Sequence, residues 1–441
     1  MTQPVSSFTQ QLKSRKETFL GDLNSGKSLA NWTVAVGNEA GDLDSLASAL
    51  AYAHFATQQE VTSRQYVPLI LTARSDLALR PENTEALAAA GVTNDSLLTI
   101  DDLPISSHAT LDASFALVDH NVLLPSFRSA PDAVEDEDDD RKVVAIIDHH
   151  ADEGRHLAAS PRLLQPVGSC AALVTSHFTS SFAPSLSDIS IPSPLADLML
   201  SAILIDTNLR PTADGGKATE IDLSAVNFLL PYSTFATSTA QSSLPASSNP
   251  LSSNPALEAL KQRNDYLSAK KNDVSSLSGR DLLRRDYKEY SEGGIRYGLS
   301  TVPLPLSVWL DKSTAQSGAE KWELVLEDTR RWMEERGLAL AGVLTSYTHI
   351  KKSGKEGKHR RELLLVSKAE NGKLDGVFEG IEGDEVLQLE EWWDYEDFPR
   401  QEGQDGNERW RVWQQGNAKA TRKQVAPMLK SLVLEAVGVQ Q

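Results

Sequence analysis

Four stretches of this 441-residue chain carry side chains that can bind divalent metal ions. The stretches are Asn38-Glu39-Ala40-Gly41-Asp42-Leu43-Asp44-Ser45, Asp119-His120-Asn121, Asp148-His149-His150 and Asp206-Thr207-Asn208. Carboxylate and amide oxygens are the ligands that hard cations prefer, and imidazole is a common ligand of transition metals. Two ions about 3.5–4 Å apart can lower the pKa of a shared water and direct it at a phosphorus atom. The residue types therefore indicate metal-assisted cleavage of a phosphate bond, provided that the fold brings the stretches together.

An apolar run precedes each stretch, and these runs predict the elements that position the metal-binding side chains. The runs cover residues 32–36, 115–118, 143–147 and 200–205. Short apolar runs rich in Val and Ile are typical of buried strands. Ligands of open α/β sheets bind at the carboxyl ends of the strands. We therefore expect an α/β domain with a mostly parallel sheet flanked by helices, and all four stretches at one edge of that sheet.

Several of these residues have a structural role as an alternative. Carboxylates at the start of a helix stabilise it, so capping would explain either Asp42 or Asp44. An isolated His149-His150 pair would be typical of a solvated loop. Ser169 precedes a predicted helix, and we interpret it as an N-cap rather than as a phosphate contact.

In their order along the chain, the four stretches resemble the motifs of the DHH phosphoesterase superfamily, which includes family II inorganic pyrophosphatases, exopolyphosphatases and prune-type proteins. The resemblance covers residues 30–230 and continues near the end of the chain. There, residues 417–427 are similar to the Ser-Arg-Lys motif of the second type of DHH-associated domain, with Thr421 in the serine position. Family II pyrophosphatases begin their first motif with histidine. This chain has Asn38 at that position, and in this respect it resembles the fungal cytosolic exopolyphosphatases.

The resemblance implies a role for each candidate residue. It places two divalent metal ions that share Asp119, with Mg²⁺ favoured because an amide oxygen is a harder ligand than imidazole, and with Mn²⁺ or Co²⁺ as alternatives. The implied ligands are Asn38, Asp42 and Asp119 for the first ion, and Asp44, Asp119, His149 and Asp206 for the second. The implied substrate-binding residues, which complete the catalytic set around Asp119, are His150, Arg422 and Lys423. Asp148 would orient its neighbours as an outer partner.

Composition along the chain indicates two domains and a linker. Residues 233–255 are rich in Ser, Thr and Pro, so we predict a DHH domain over 1–232 and a smaller mixed α/β domain over 256–441. In the second domain we predict strands at 296–302, 338–346 and 362–366 and a helix at 320–336. Because Arg422 and Lys423 belong to this domain, we expect the active site in the cleft between the domains.

Charge and cysteine content restrict the partners and the compartment. The formal net charge is −18, no apolar run approaches the roughly 20 residues of a membrane span, and no aromatic-basic pattern favours nucleic acid. Cys170 is the one cysteine, which excludes an internal disulfide and fits a reducing compartment. We therefore expect a cytoplasmic monomer without a membrane or nucleic-acid partner. A mitochondrial leader over residues 1–20 is disfavoured by Glu17.

A basic cluster lies between two predicted strands of the second domain. Its members are Lys351, Lys352, Lys355, Lys358, Arg360 and Arg361, with His349 and His359 beside them. Such charge runs are usually solvated turns, which is the favoured interpretation. The alternative is a surface for the distal phosphates of a long polymer.

The leading functional hypothesis is an exopolyphosphatase that removes terminal orthophosphate from inorganic polyphosphate with a metal-activated water. The alternatives are a manganese- or magnesium-dependent inorganic pyrophosphatase, another DHH phosphodiesterase, or a prune-like interaction protein without activity. Asn38 and the insertions favour polyphosphate over pyrophosphate. An inactive relative would have lost ligands, whereas this chain retains all the expected carboxylates.

Overall fold

The structure, a computed structural model, forms two compact units: the N-terminal unit, Met1–Lys271, and the C-terminal unit, Asn272–Gln441. The residues it describes are 7–60, 63–104, 111–128, 142–181, 190–236, 255–313, 321–350, 355–369, 372–392, 402–405 and 407–438.

The N-terminal unit alternates strands and helices over most of its length. Its strands are β1 (Trp32–Val36), β2 (Gln65–Ile70), β3 (Leu98–Thr99), β4 (Ser114–Val118), β5 (Val143–Asp148) and β6 (Arg162–Leu164). Its helices are α1 (Ser7–Asn24), α2 (Leu43–Gln59), α3 (Pro81–Ala89), α4 (Cys170–Ser181), α5 (Ser193–Thr207), α6 (Glu220–Leu229) and α7 (Pro255–Asn272).

The six strands form one parallel sheet in the order β3-β2-β1-β4-β5-β6. Apolar side chains cover both of its faces, one represented by Ala116 and Ile147 and the other by Val34 and Phe115. The predicted parallel sheet flanked by helices is therefore confirmed. The chain moves outward from β1 in one direction and from β4 in the other, so the order reverses between these two neighbours. In open α/β sheets, ligands bind at such a reversal, beyond the carboxyl ends of the strands.

The fourth predicted strand is wrong, because residues 200–205 belong to helix α5. This helix is buried on nearly every side, from Leu195 to Leu204, and packs against α2, α4 and α6. A helix that is apolar all round lacks the 3.6-residue alternation that distinguishes a helix from a buried strand. Asp206 therefore lies in the last turn of a helix, which ends at Asn208 in the left-handed conformation.

Helix α7 belongs to the N-terminal unit, whereas the sequence placed residues 256–271 at the start of the second domain. Leu257, Leu260 and Leu267 are buried in the same apolar cluster as α2 and α5. Most residues of α7 are polar, so the sequence does not reveal that this helix packs against the N-terminal unit. The predicted linker, residues 233–255, lies outside the described residues apart from 233–236 and 255.

The C-terminal unit is a mixed sheet with helices, as predicted. Its strands are β7 (Tyr287–Glu292), β8 (Ile295–Val302), β9 (Leu340–Thr345), β10 (Tyr347–Ile350), β11 (Glu356–Ser367), β12 (Leu389–Glu391), β13 (Glu402–Asp405) and β14 (Glu408–Gln415). Its helices are α8 (Gly279–Arg285), α9 (Leu306–Ser313), α10 (Lys321–Arg336), α11 (Asp375–Glu382) and α12 (Arg422–Ala436). The main order is β12-β14-β11-β9-β8-β7, in which β8 and β9 pair in parallel and the other pairs are antiparallel.

Among the described residues, no helix is long and apolar enough to cross a membrane.

Candidate metal centre

Asp119 lies at the centre of a polar cluster beyond the carboxyl ends of β1, β4 and β5. Its carboxylate is 2 % exposed, and its backbone adopts a φ of 62°, in the left-handed region. Asn and Asp tolerate this region better than other residues with a side chain, and such conformations concentrate at functional sites. Oδ2 accepts hydrogen bonds from Asn38 Nδ2 at 2.6 Å and from Ser45 Oγ at 2.5 Å. Oδ1 is buried and has no hydrogen-bond partner among the described residues.

Two histidines after β5 face the Oδ1 atom of Asp119. His149 Nε2 lies 3.1 Å from it and His150 Nδ1 lies 3.6 Å from it. The ligand atoms of these three residues lie within 4.8 Å of one another, a spacing that can hold a metal ion. The predicted meeting of the second and third stretches is therefore present in the structure.

Hydrogen bonds to both histidines determine which nitrogen carries a proton. His149 Nδ1 lies 3.1 Å from the carbonyl oxygen of Val167, and His150 Nδ1 lies 2.7 Å from Asp148 Oδ1. Because a carbonyl oxygen can only accept, His149 carries a proton on Nδ1. Its Nε2 presents a lone pair to the cluster when the ring is neutral, and the ring faces Asp119 as a cation when both nitrogens are protonated. Asp148 is fully buried, and Asn121 donates to its second oxygen at 2.6 Å. Asp148 thus orients the ring of His150.

Asp42 and Asp44 each stabilise the start of a helix. Asp42 is the N-cap of α2, and its Oδ1 accepts a hydrogen bond from the backbone of Ser45 at 2.9 Å. Asp44 is 2 % exposed and accepts from the backbone N–H groups of Cys170 and Ala171 at 2.6 and 2.8 Å. Capping therefore accounts for one contact of Asp42 and several of Asp44, and leaves lone pairs on both carboxylates.

We predicted that Ser169 is the N-cap of α4, but its side chain does not accept a hydrogen bond from the backbone of this helix. Its Oγ donates to Asp44 Oδ1 at 2.7 Å, so Asp44 supplies the acceptor at this helix start. Asp222 accepts from the backbone N–H groups of Gly168 and Ser169 at 3.0 Å and fixes the same loop. Two carboxylates from different helices therefore position this loop.

Asp206 reaches the cluster from the end of α5. Burial and the neighbouring carboxylates of Asp42 and Asp119 raise the pKa of Asp206 to about 6, while Lys271 and His149 oppose the shift. The Nζ atom of Lys271, at the end of α7, lies 3.9 Å from Asp206 Oδ1. The fourth stretch thus lies near enough to Asp42, Asp119 and His149 to interact with them electrostatically, although a helix and not a strand delivers it.

Mutual repulsion of carboxylates is the main electrostatic property of this cluster. Burial raises the pKa of Asp44 well above its usual value, and Asp119 and Asp206 raise it further. Burial also opposes ionisation of Asp119, but His149 and His150 hold its pKa well below the usual range. A bound cation would relieve the repulsion. The donor set fits divalent metal ions, since it offers the spare Oδ1 of Asp119, Nε2 of His149 and the unused lone pairs of the other carboxylates.

Asn38 contacts the cluster through its side-chain Nδ2 atom, which is a hydrogen-bond donor and not a metal ligand. Its Nδ2 donates to Asp119, and its Oδ1 accepts from the backbone of Ala40 at 2.9 Å. One lone pair on Oδ1 therefore remains available for a metal ion.

Three residues of this region carry no recognisable signal in the sequence. Arg80 Nε donates to the carbonyl oxygen of Ala40, and Asn83 Nδ2 donates to that of Gly41, both at 2.8 Å. Ser45 binds Asp119 directly. Arg80 and Asn83 are about 40 residues from the turn that they hold, so only the tertiary fold identifies them. We infer that they position the turn that carries Asn38, Asp42 and Asp44.

Replacing Asn83 with alanine should therefore weaken metal binding without removing a ligand. We expect the half-saturating Mg²⁺ concentration for hydrolysis to rise about 10-fold, as for other outer partners of metal ligands, with a smaller change in turnover at saturating Mg²⁺. Thr84→Ala, on the exposed side of the same helix, is the matched control. Equal metal dependence of the two variants would show that the turn does not need Asn83.

Arg422 and Lys423 open helix α12 of the C-terminal unit. The Nη1 atom of Arg422 donates to the carbonyl oxygen of Asp286 at 2.9 Å, and its Nη2 pairs with Asp286 Oδ1 at 2.8 Å. Thr421 is the N-cap of α12 and accepts from the backbone of Lys423, whose side chain is exposed. The predicted Thr-Arg-Lys motif therefore forms a helix start with an oriented guanidinium.

Comparisons with known proteins identify the families that the two units resemble. Residues 32–203 match the DHH family N-terminal domain, and residues 265–432 match the DHHA2 domain. A protein of Schizosaccharomyces pombe named "Putative exopolyphosphatase" is 28% identical over 442 residues, which cover 98% of this chain and 99% of that protein. Exopolyphosphatase PRUNE1 of Mus musculus is 28% identical over 282 residues, or 64% of this chain and 54% of its own length.

A solved structure supports the fold. The crystal structure of a Methanococcus jannaschii protein described as a "putative family II inorganic pyrophosphatase" superposes with a TM-score of 0.50 and 19% identity, over 91% of this chain and 99% of that one. The two matched domains, which together span most of the chain, show that it belongs to the DHH family, with a DHH domain followed by a DHHA2 domain.

Proposed function

We propose that this protein is a metal-dependent exopolyphosphatase, which hydrolyses the terminal phosphoanhydride bond of inorganic polyphosphate and releases orthophosphate. The observation that carries the proposal is the Asp119 cluster, in which repelling carboxylates and an oriented histidine meet at the strand reversal. The near full-length similarity to the Schizosaccharomyces pombe protein supports polyphosphate as the substrate class.

We propose that the cluster holds two divalent ions, with Mg²⁺ favoured and Mn²⁺ or Co²⁺ as alternatives. Asn38, Asp42 and Asp119 would hold one ion, and the ligands of the other would be Asp44, Asp119, His149 and Asp206. Ions at these residues would supply positive charge for the phosphate and acidify a bound water. The buried carboxylates Asp44 and Asp119 would hold that charge in a region of low dielectric, where it would act more strongly than in water.

His150, Arg422 and Lys423 are proposed to bind the substrate. His150 is oriented by Asp148 through Nδ1, which leaves Nε2 for a phosphate oxygen when the ring carries both protons. Arg422 is already oriented by Asp286 and retains Nε and further N–H groups for a bidentate contact. Cations at these positions stabilise the charge that develops on the leaving phosphate.

The compartment is part of the proposal. Cys170 is a free thiol that is fully buried, and its Sγ atom lies 3.3 Å from the carbonyl oxygen of Ile147. A free buried thiol is compatible with a reducing compartment such as the cytoplasm.

The proposal is tested by orthophosphate release from long-chain polyphosphate by the purified full-length protein. We expect release with Mg²⁺, loss of release with excess chelator, and recovery when Mg²⁺ or Mn²⁺ is added back. Release that continues unchanged in chelator would overturn the metal assignment. Failure to release phosphate with Mg²⁺, with Mn²⁺ and with Co²⁺ would overturn the function.

Removal of the Arg422 guanidinium should mainly affect substrate binding. We expect Arg422→Ala to raise KM and to lower kcat/KM about 10- to 100-fold, equivalent to the loss of one or two charge-assisted hydrogen bonds. Lys430→Ala on the same helix, where Lys430 pairs with Glu292, is the control and should retain both constants. Unchanged kinetics of Arg422→Ala would remove this residue from the substrate site.

A further inference from the structure

A short loop, residues 165–169, joins strand β6 to helix α4 and contacts two of the proposed metal ligands. It is called the connecting loop here. The carbonyl oxygen of Val167 accepts a hydrogen bond from Nδ1 of His149 at 3.1 Å. Ser169 Oγ donates to Oδ1 of Asp44 at 2.7 Å. The connecting loop therefore orients a ligand of the third stretch and a ligand of the first stretch.

Gly168 brings the connecting loop into close contact with the end of helix α5. A methyl group in place of its hydrogen would overlap Cγ2 of Thr207 and would lie 2.8 Å from the carbonyl oxygen of Lys217. Non-bonded carbon atoms pack at about 3.5–4.0 Å, so only glycine allows this approach. Thr207 directly follows Asp206. The loop thus also packs against the helix end that carries the fourth stretch.

Asp222, in helix α6, holds the connecting loop through buried hydrogen bonds. Its side chain is fully buried. Oδ2 accepts from the backbone N–H of Gly168 and Oδ1 accepts from that of Ser169, both at 3.0 Å. Oδ2 also accepts from the backbone N–H and the hydroxyl of Thr219, both at 2.7 Å, in the capping box of α6. Because an unmade hydrogen bond is costly at a buried carboxylate, these contacts fix the loop relative to α6.

We propose that Asp222 is a positioning residue for the metal centre, which acts by fixing the connecting loop. The inference rests on the proposed function and deepens it, because it names a residue that sets the geometry of metal ligands without binding an ion. The carbonyl oxygen of Val167 orients the ring of His149 through Nδ1, so a displaced loop would redirect Nε2. Asp44 accepts from Ser169 and from the start of α4, so the same displacement would turn its carboxylate.

The test compares two variants of one capping box, since capping of α6 is the other role of Asp222. Asp222→Asn keeps one carbonyl oxygen and places an amide donor against a backbone N–H of the connecting loop. Thr219→Ala removes the hydroxyl of the capping box and keeps both bonds from Asp222 to the loop. Because both changes weaken the cap, both should lower the midpoint of thermal unfolding, Thr219→Ala by about 2–4 °C.

Metal binding separates the two roles. Full-length proteins are titrated with Mn²⁺ and with Co²⁺ in a calorimeter, well below their unfolding midpoints. We expect Asp222→Asn to raise the metal Kd about 10- to 100-fold and Thr219→Ala to keep it within about twofold. The visible absorption of bound Co²⁺ depends on its ligands and their geometry, so we expect a changed spectrum for Asp222→Asn and the original spectrum for Thr219→Ala. A loss of stability alone would leave the spectrum of the folded protein unchanged.

Gly168→Ala is a second variant of the connecting loop. It pushes the loop away from Thr207 and leaves Asp222 and its capping box in place. We expect weaker metal binding and a changed Co²⁺ spectrum here as well. If Asp222→Asn does not fold, the comparison of Gly168→Ala with Thr219→Ala decides the question.

The outcomes for this inference and for the proposed function are distinct. Original metal affinity and an original Co²⁺ spectrum in Asp222→Asn and Gly168→Ala would overturn the positioning role, even if polyphosphate is hydrolysed normally. Equal losses of metal affinity in Asp222→Asn and Thr219→Ala would reduce Asp222 to a helix cap. Metal binding that depends on Asp222 in a protein that releases no phosphate would retain the positioning role and overturn the enzyme. Failure of the unaltered protein to bind Mn²⁺ or Co²⁺ would overturn both.

Discussion

Asp119→Asn is expected to reduce turnover at least about a thousandfold while the protein remains folded. The substitution removes the charge that would bridge two metal ions, and metal ions of this kind supply several kcal/mol of transition-state stabilisation. Asparagine is one of the few residues that tolerates the φ of 62° at this position. Its amide oxygen can also keep the hydrogen bonds from Asn38 and Ser45.

The experiment for Asp119→Asn combines phosphate release with calorimetric titration of Mg²⁺ or Mn²⁺. We expect weaker metal binding together with a free energy of unfolding within about 1 kcal/mol of the original protein. His120→Asn is a matched neighbour, since its Nδ1 faces the carbonyl oxygen of Val118 and not the cluster, and it should keep activity within a few-fold. Wild-type turnover of Asp119→Asn would contradict the shared-ligand role.

Asp44→Asn is expected to cost stability as well as activity. The carboxylate of Asp44 accepts from Ser169 Oγ and from two backbone N–H groups at the start of α4. An amide would place donors against donors in a buried site and would remove a negative charge from a helix N-terminus. Relief of the repulsion from Asp119 and Asp206 offsets part of this loss. We expect the free energy of unfolding to fall by about 2–4 kcal/mol.

Urea denaturation of the two asparagine variants side by side measures this difference. Asp44→Asn should unfold at a clearly lower urea concentration than Asp119→Asn, with the same dependence of free energy on urea. Similar midpoints for the two variants would contradict the capping role that the hydrogen bonds assign to Asp44.

The parallel sheet and most of the cluster could be predicted from sequence because local patterns encode them. Short apolar runs predict β1, β4 and β5, and a shared sheet edge then brings Asn38, Asp119 and His149 together. The same reasoning wrongly predicts a strand at residues 200–205, which belong to helix α5. A helix buried on all sides lacks the 3.6-residue alternation of apolar and polar residues that would identify it. Asp206 nevertheless belongs to the predicted ligand set, because its residue type and its neighbours resemble the family motif.

Tertiary contacts could not be predicted in the same way. Arg80 and Asn83 support the first metal-binding turn from about 40 residues away, and no spacing rule connects them to it. Helix α7 reads as polar, although a few leucines bury it against the N-terminal unit. The capping of α4 by Asp44 joins residues more than 120 positions apart, which only the assembled fold reveals.

The central claim is that this metal site serves polyphosphate, and kcat/KM for long-chain polyphosphate and for pyrophosphate tests it most directly. Both values are measured with the same full-length protein at saturating Mg²⁺ and again at saturating Mn²⁺. The account predicts a much higher kcat/KM for long chains with both metals, with pyrophosphate accumulating as the end product. A higher kcat/KM for pyrophosphate would contradict it and would identify the site as that of a pyrophosphatase.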